Sequence, residues 1–494
     1  MIAGAATGFR PLDWTVVVLF LLWMLWIGYR SGRRNRTAED YVLGGRTMNP
    51  VMVGISLFAT LLSTLSYLSY PGEMVKYGPV VFIGLAAFPV AYYIVSRLMI
   101  PRYMKMNVTS AYEILEIKLG RGVRSLATVF FLSLRFLWMA TIIYATVDVA
   151  LIPVFGLDPG WVPPVSVVLV VITVIYTTMG GLKAVVTTDV IQTVVMFAGV
   201  LLTIGIIGWK VGSFGAFFEP QLFEHWPPVD WGFDMSKRMT VGNILLMTLV
   251  WQVCTAGSDQ MAIQRYLSTP DVATAKRSYR ISLVTSCTIQ LLLAVVGLVV
   301  MTYFLRYPQM LAPGTSVVGD ADTLFPRFIL IGLPAGITGL IAAGIMSAAM
   351  SSLSSGLNSS ATVIYEDIIN RNRKESNTSS KSLHHIKLIA VALGVVVALS
   401  SFLVAYVSGN LLDVVIKVVN LVVAPLFVPW ATSRGTVAGG LFAMLVAVLI
   451  AFVGIFGITA LWIMPVALVS GVLSSMLFSL LDRWLIGRGL LPGK

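Results

Sequence analysis

Charge is scarce in this chain. Of its 494 residues only 11% are Asp, Glu, Lys or Arg, against roughly 25% in soluble domains, so water cannot be the solvent for most of it. Cysteine is nearly absent as well. Cys254 and Cys287 both fall in apolar stretches, which excludes the oxidised framework of a small secreted domain and leaves them as packing residues. The three histidines, His225, His384 and His385, sit in polar connections, where a solvated ring is the ordinary reading. No H-E-x-x-H, Walker loop or G-x-S-x-G occurs, so no motif points to an enzyme. Acidic residues number 22 against 34 basic ones, a net charge of +12. In a nucleic-acid binder that excess would form a patch, whereas in a membrane protein it marks the cytoplasmic connections.

What is plentiful is apolar sequence, 57% of the chain. A transmembrane helix needs about 20 mainly apolar residues, and such runs recur almost throughout, predicting a single membrane domain over 1–494 in a lipid bilayer. About thirteen spans are expected on that length criterion. They start near Trp14, Val51, Val80, Ser125, Trp161, Thr188, Val241, Ser282, Phe328, Ile386, Leu411, Val437 and Ala460. The first resembles a signal peptide only superficially, because its basic cluster follows the apolar run and no A-x-A-like site comes after it, so it is expected to be retained.

Placing the N-terminus outside puts Arg30, Arg33, Arg34, Arg36 and Arg46 in the first inner connection. With Arg135 and Lys417 inside spans, the outer segments then carry only Arg10, Lys76, Lys210, Lys237, Arg238, Arg306 and Arg327 of the 34 Lys and Arg residues. This bias predicts a plasma (inner) membrane protein with its N-terminus outside and its C-terminus in the cytoplasm. The basic, Ser-rich loop 370–387 reads as solvated and flexible, with no nucleic-acid partner expected.

Three spans carry small polar residues that a purely structural membrane helix does not need. The second reads Phe58-Ala-Thr-Leu-Leu-Ser-Thr-Leu-Ser-Tyr67, followed by Pro71-Gly72. The seventh reads Trp251-Gln-Val-Cys-Thr-Ala-Gly-Ser-Asp-Gln260. Interrupted helices at matching places in two halves point to a transporter's midplane site, although Ser and Thr also simply allow close helix approach. The ninth contains Ser351, Ser352, Ser354 and Ser355 before Gly356-Leu-Asn358. Residues three or four apart share a helix face, which makes a stripe of hydroxyl oxygens suited to a hard cation. Unwound carbonyls of the second span, such as those of Ala59 and Leu62, complete a cage for Na+. Asp189, opening the sixth span after Gly180-Gly181, is a functional candidate as an intramembrane carboxylate, or else reaches interfacial water. For Arg135, Asp148, Asp413 and Lys417, pairing among themselves competes with a functional reading.

Five ordered segments give the chain its resemblance to the sodium:solute symporter family, which includes bacterial sialic-acid and galactose transporters and animal monocarboxylate and glucose cotransporters. They are Phe58 to Tyr67, Thr109-Ser-Ala-Tyr-Glu-Ile-Leu-Glu116, Tyr176-Thr-Thr-Met-Gly-Gly-Leu-Lys-Ala-Val185 with Thr188-Asp-Val-Ile-Gln192, Asp259-Gln-Met-Ala-Ile-Gln-Arg-Tyr266, and Ser351 to Asn358. The resemblance implies an all-α LeuT-type fold of two inverted five-helix repeats, about 50–212 and 239–432. One helix precedes them, about 13–30, and two follow, about 434–456 and 459–482. It implies one sodium site from the Ala59, Leu62 and Ala348 carbonyls with the Ser351 and Ser352 hydroxyls, and a second from Asp189, Ser351, Ser354 and Ser355, hence two Na+ ions.

By ungapped matching, the family's solute contacts fall on Leu61, Ser63, Ser66, Leu85, Trp138, Gln252 and Lys417. Trp138 replaces the arginine that grips the sialic-acid carboxylate, and Leu61 and Leu85 stand where that branch is polar. The acidic sugar-binding residue of the galactose branch has no counterpart near Leu85. Pro425 to Arg434 is several residues shorter than is usual for this helix and its loop. The expectation is a monomeric sodium symporter of a small solute, leaning to an organic anion such as a monocarboxylate. A sodium/sugar or sodium/sialic-acid symporter is the alternative. A membrane sensor component is disfavoured, since only Asp482 to Lys494 follow the last span.

Overall fold

The computed structural model describes residues 9–33, 35–106, 108–371, 380–404, 432–454 and 457–488. Among these, every regular element is a helix. The principal ones are α1 (Pro11–Gly32), α2 (Pro50–Leu61), α3 (Thr64–Tyr77), α4 (Arg121–Ala145), α5 (Val162–Val211), α6 (Val241–Ser258), α7 (Gln260–Leu267), α8 (Val272–Arg306), α9 (Ile337–Val363), α10 (Ser380–Val404), α11 (Ser433–Val448) and α12 (Ile463–Gly487).

Ten helical runs among the described residues are long and apolar enough to cross a membrane, fewer than the thirteen spans expected. The difference has three sources. The run Pro159–Val211 takes in both spans expected near Trp161 and Thr188, which are joined through a kink at Gly181. The segment near Leu411 lies outside the described residues. Finally, α2 is only 12 residues long, because the helix breaks at Leu62 before it can span.

The long run of α5 is not straight. Gly181 adopts φ 58° and ψ −156°, a conformation open to glycine alone, and a Cβ there would lie 2.6 Å from the Tyr41 backbone oxygen. Gly181 thus turns the chain ahead of Asp189. At Gly28 of α1 the need is for space, since a Cβ would come within 2.6 Å of Tyr176 Cα.

α9 is the central helix. In its apolar window 89% of residues are buried inside the protein, against 33% for α1. Ala342, Ala343, Gly344, Ser347, Ala348 and Ala349 are all small, and small residues let membrane helices approach closely without a hydrophobic driving force. α5 takes advantage of this, packing along α9 with Met196 Cα at Gly344. α2 and α7 close around the same helix.

Candidate functional site

Two helices are interrupted beside α9, and each break has a local cause. α2 ends where Leu62 turns extended (φ −81°, ψ 119°). α3 restarts at once because Ser63 N-caps it, its Oγ accepting from Ser66 N at 3.1 Å. A broken helix leaves carbonyls without intrahelical amides, and here they face a hydroxyl. Ser352 Oγ lies 3.4 Å from both the Thr60 and Leu62 carbonyl oxygens. Ala59 and Ala348 are both fully buried in the same core. The second break is at Asp259 (φ −75°, ψ 129°) between α6 and α7. Its Oδ1 accepts from Met261 N at 2.9 Å and so caps α7.

Beside the neighbouring residue of α9, Ser351, a carboxylate is completely enclosed. Asp189 is 0% exposed, which overturns the reading that it reaches interfacial water. Ser351 Oγ donates to its Oδ1 at 2.6 Å and Ser56 Oγ to its Oδ2 at 2.5 Å. Arg265, 1% exposed, approaches the same Oδ2 with Nη2 at 3.3 Å. Its other donors are also used, with Nε on Ser56 Oγ (2.9 Å), Nη1 on the Met261 carbonyl (3.0 Å) and Nη2 on Ser355 Oγ (2.6 Å). Ser355 in turn shares a hydrogen bond with Thr60 Oγ1 at 2.9 Å. Of the expected second site, Asp189, Ser351 and Ser355 therefore meet, whereas Ser354 Oγ turns back onto the Ser351 carbonyl at 3.0 Å. Sequence reasoning missed Ser56, Thr60 and Arg265. Arg265 lay in a quoted segment, and an arginine within an apolar helix is itself a signal.

Above these breaks lies a cavity of about 370 Å³, within the usual range for a small-molecule pocket. Leu61, Ser63, Ser66, Leu85, Trp138 and Gln252 all line it. The seventh expected contact, Lys417, lies outside the described residues, as does Asp413. The remaining wall is mainly hydroxyl, amide and apolar, including Phe58, Ser69, Thr248, Ser282 and Gln290. Its charges among the described residues are Glu73, Arg238 and Arg135. Arg238 Nη2 meets Glu73 Oε1 at 2.7 Å. Arg135 is paired with Asp259, a partner that was not among those weighed from the sequence.

A family model described as the sodium:solute symporter family matches residues 41–446. Among curated proteins, the chain is 29% identical to the sodium/sialic acid symporter SiaT of Proteus mirabilis, covering 90% of each. It is 30% identical to the sodium-coupled monocarboxylate transporter 1 of Mus musculus, over 83% of this chain and 67% of that one. Among solved structures, a Na+-coupled sialic acid symporter in a substrate-bound outward-open state superposes with a TM-score of 0.85 at 27% identity. That match covers 96% of this chain and 98% of the other. These similar proteins are secondary transporters rather than enzymes, and the fold is that of the LeuT-type transporters.

Proposed function

The chain belongs to the sodium:solute symporter family, and on that premise we propose that it couples two sodium ions to the import of a small organic anion such as a monocarboxylate. The observation that carries the reading is the enclosed oxygen cluster on α9. Ser352 faces the freed Leu62 carbonyl, and the Asp189 carboxylate faces Ser351, so two oxygen-rich positions sit on neighbouring residues of one helix.

The first ion would take the Leu62, Ala59 and Ala348 carbonyls with the Ser351 and Ser352 hydroxyls. Hard cations prefer such oxygen donors, and carbonyls of a broken helix supply them without formal charge. The second would take Asp189, Ser351, Ser354 and Ser355. Arg265 bonds only Oδ2, which leaves the Oδ1 side for an ion. Ser354 would have to rotate away from its own helix.

Within this reading the chain is a monomer made of inverted repeats over about 50–212 and 239–432, with its N-terminus outside and its C-terminus in the cytoplasm. The solute fills the 370 Å³ cavity. One charge moving through 100 mV supplies about 2.3 kcal/mol, and tenfold accumulation needs about 1.4 kcal/mol. Two ions therefore drive concentration even of a monoanion. Leu61, Leu85 and Trp138 on the cavity wall disfavour a polar sugar, while the similarity to a sodium/sialic acid symporter supports sialic acid as the second reading.

Gradient-driven uptake into proteoliposomes tests this, with unlabelled carboxylates, sugars and amino acids as competitors. Sodium dependence with a Hill coefficient above one is expected. Uptake indifferent to replacing sodium by potassium would defeat the proposal.

A further inference from the structure

Arg135 is the one charged side chain of the cavity wall, among the described residues, whose counter-ion does not share that wall. Glu73 and Arg238 line the cavity together and neutralise each other. Asp259, which pairs with Arg135, is not among the lining residues, so it holds the guanidinium from behind. The cavity therefore meets the cation first and the carboxylate only through it.

The guanidinium also has hydrogen-bonding capacity to spare. It carries five N–H donors in a planar fork, and among the described residues its hydrogen bond is a single one, from Nη2 to Asp259. Arg135 is 6% exposed, yet its Nε is buried without a partner among the described residues. A buried donor left unpaired is costly, and a ligand oxygen at the cavity wall would satisfy this one. Phe131 lies against the guanidinium, 5.6 Å from ring centroid to Cζ, and helps fix its plane. Trp138 stands three residues on along α4 and lines the same cavity, so an apolar platform adjoins the donor fork.

We propose that Arg135 is the specificity-determining residue of the cavity, presenting its free N–H donors to the carboxylate of the transported solute while Asp259 orients it. This rests on the symporter reading and deepens it. It names the cation that selects an anion and requires the solute to carry a planar carboxylate at one end and an apolar body for Trp138. Arg and carboxylate match as a two-donor, two-acceptor pair, which neither a lysine nor a glutamine reproduces.

The test uses purified full-length protein and matched probes: acetate, propionate, pyruvate and benzoate, each beside its amide. Binding is read as a thermal shift in sodium and as competition for uptake. At least one acid should bind the wild type at least tenfold more tightly than its amide. Arg135→Gln should bring that acid down to the level of the amide, and Arg135→Lys should fall between them. Should Arg135→Gln not fold, the double variant Arg135→Gln/Asp259→Asn removes both charges and asks the same question. Acid-over-amide discrimination that survives in either glutamine variant overturns the proposal. So does a wild type that binds none of the acids while sodium, unlike potassium, still stabilises it. A wild type that responds to neither sodium nor any probe would remove the symporter reading instead, which keeps the two failures apart.

Discussion

Two of the buried ion pairs, Asp189–Arg265 and Arg135–Asp259, differ in how completely they are closed. At Asp189–Arg265 four further groups, Ser56, Ser351, Ser355 and the Met261 carbonyl, accept or donate around the pair, and both side chains are fully buried. At Arg135–Asp259 the carboxylate is fully engaged, capping α7 with one oxygen and holding the arginine with the other, but the arginine is not. In the closed pair four of the five Arg265 N–H donors are engaged and neither side chain reaches the cavity wall, so an organic solute finds no opening there, whereas the proposed sodium would approach Oδ1. The half-open pair is built to accept something with oxygen atoms. On the proposed function, two pairs of the same chemistry would serve two different cargoes, one a metal ion and one an anion.

Breaking the closed pair should have the largest effect. Asp189→Asn leaves Arg265 as an uncompensated buried charge, which costs about 3–5 kcal/mol. Thermal unfolding of the purified variant should show that loss. The double variant Asp189→Asn/Arg265→Gln should recover much of the stability while sodium affinity stays low. Recovery of both together would mean the pair serves the fold alone. Ser351→Ala is the next test and acts on one hydrogen bond to the carboxylate, worth about 1.5–3 kcal/mol. Its apparent sodium constant should rise roughly tenfold or more, with far less destabilisation than Asp189→Asn. Ser63→Ala touches the uncharged break instead. Loss of the cap on α3 should cost about 1 kcal/mol, measured by unfolding, and solute affinity should fall because Ser63 lines the cavity.

The sequence disclosed those parts of the site that repeat along one helix or lie within one segment. Ser351 and Ser355 could be placed on one face by spacing alone, and the polar residues around Leu62 and Asp259 marked real breaks. The cavity contacts on α3, α4 and α6 could be matched because each lies in an ungapped run. Partnerships across the fold were not visible. Arg265 meets Asp189 over 76 residues and Arg135 meets Asp259 over 124, and no periodicity encodes a contact between helices that far apart. Span counting and the count of helical runs differ for a related reason. Hydropathy registers how long an apolar run is, but whether helix continues through it depends on single residues such as Gly181, whose positive φ is set by the packing of Tyr41 against it.

The pair Glu116–Arg124 extends the comparison to the edge of the fold, where Arg124 is buried against Asp367 but Glu116 is partly exposed, and the smallest effect is expected. Glu116, at the end of the short helix Ala111–Leu119, meets Arg124 Nη1 at 2.6 Å. The hydrogen bond from Arg124 holds its carboxyl below the ordinary glutamate value of 4.5. A carboxylate with a depressed folded value stabilises the protein fully above its ordinary value, and that contribution is lost as pH falls through the folded one. The group is partly exposed, so solvent screening limits the pair to about 1 kcal/mol or less. Glu116→Gln should therefore lower the unfolding temperature slightly near neutral pH. The gap from wild type should close as the pH drops below about 4.5, the ordinary glutamate range. Unfolding of both proteins across that acid range measures it. A gap that stays constant into acid would mean that Glu116 acts through packing, and a gap as large as that of Asp189→Asn would mean that burial does not separate this pair from the two inside the membrane.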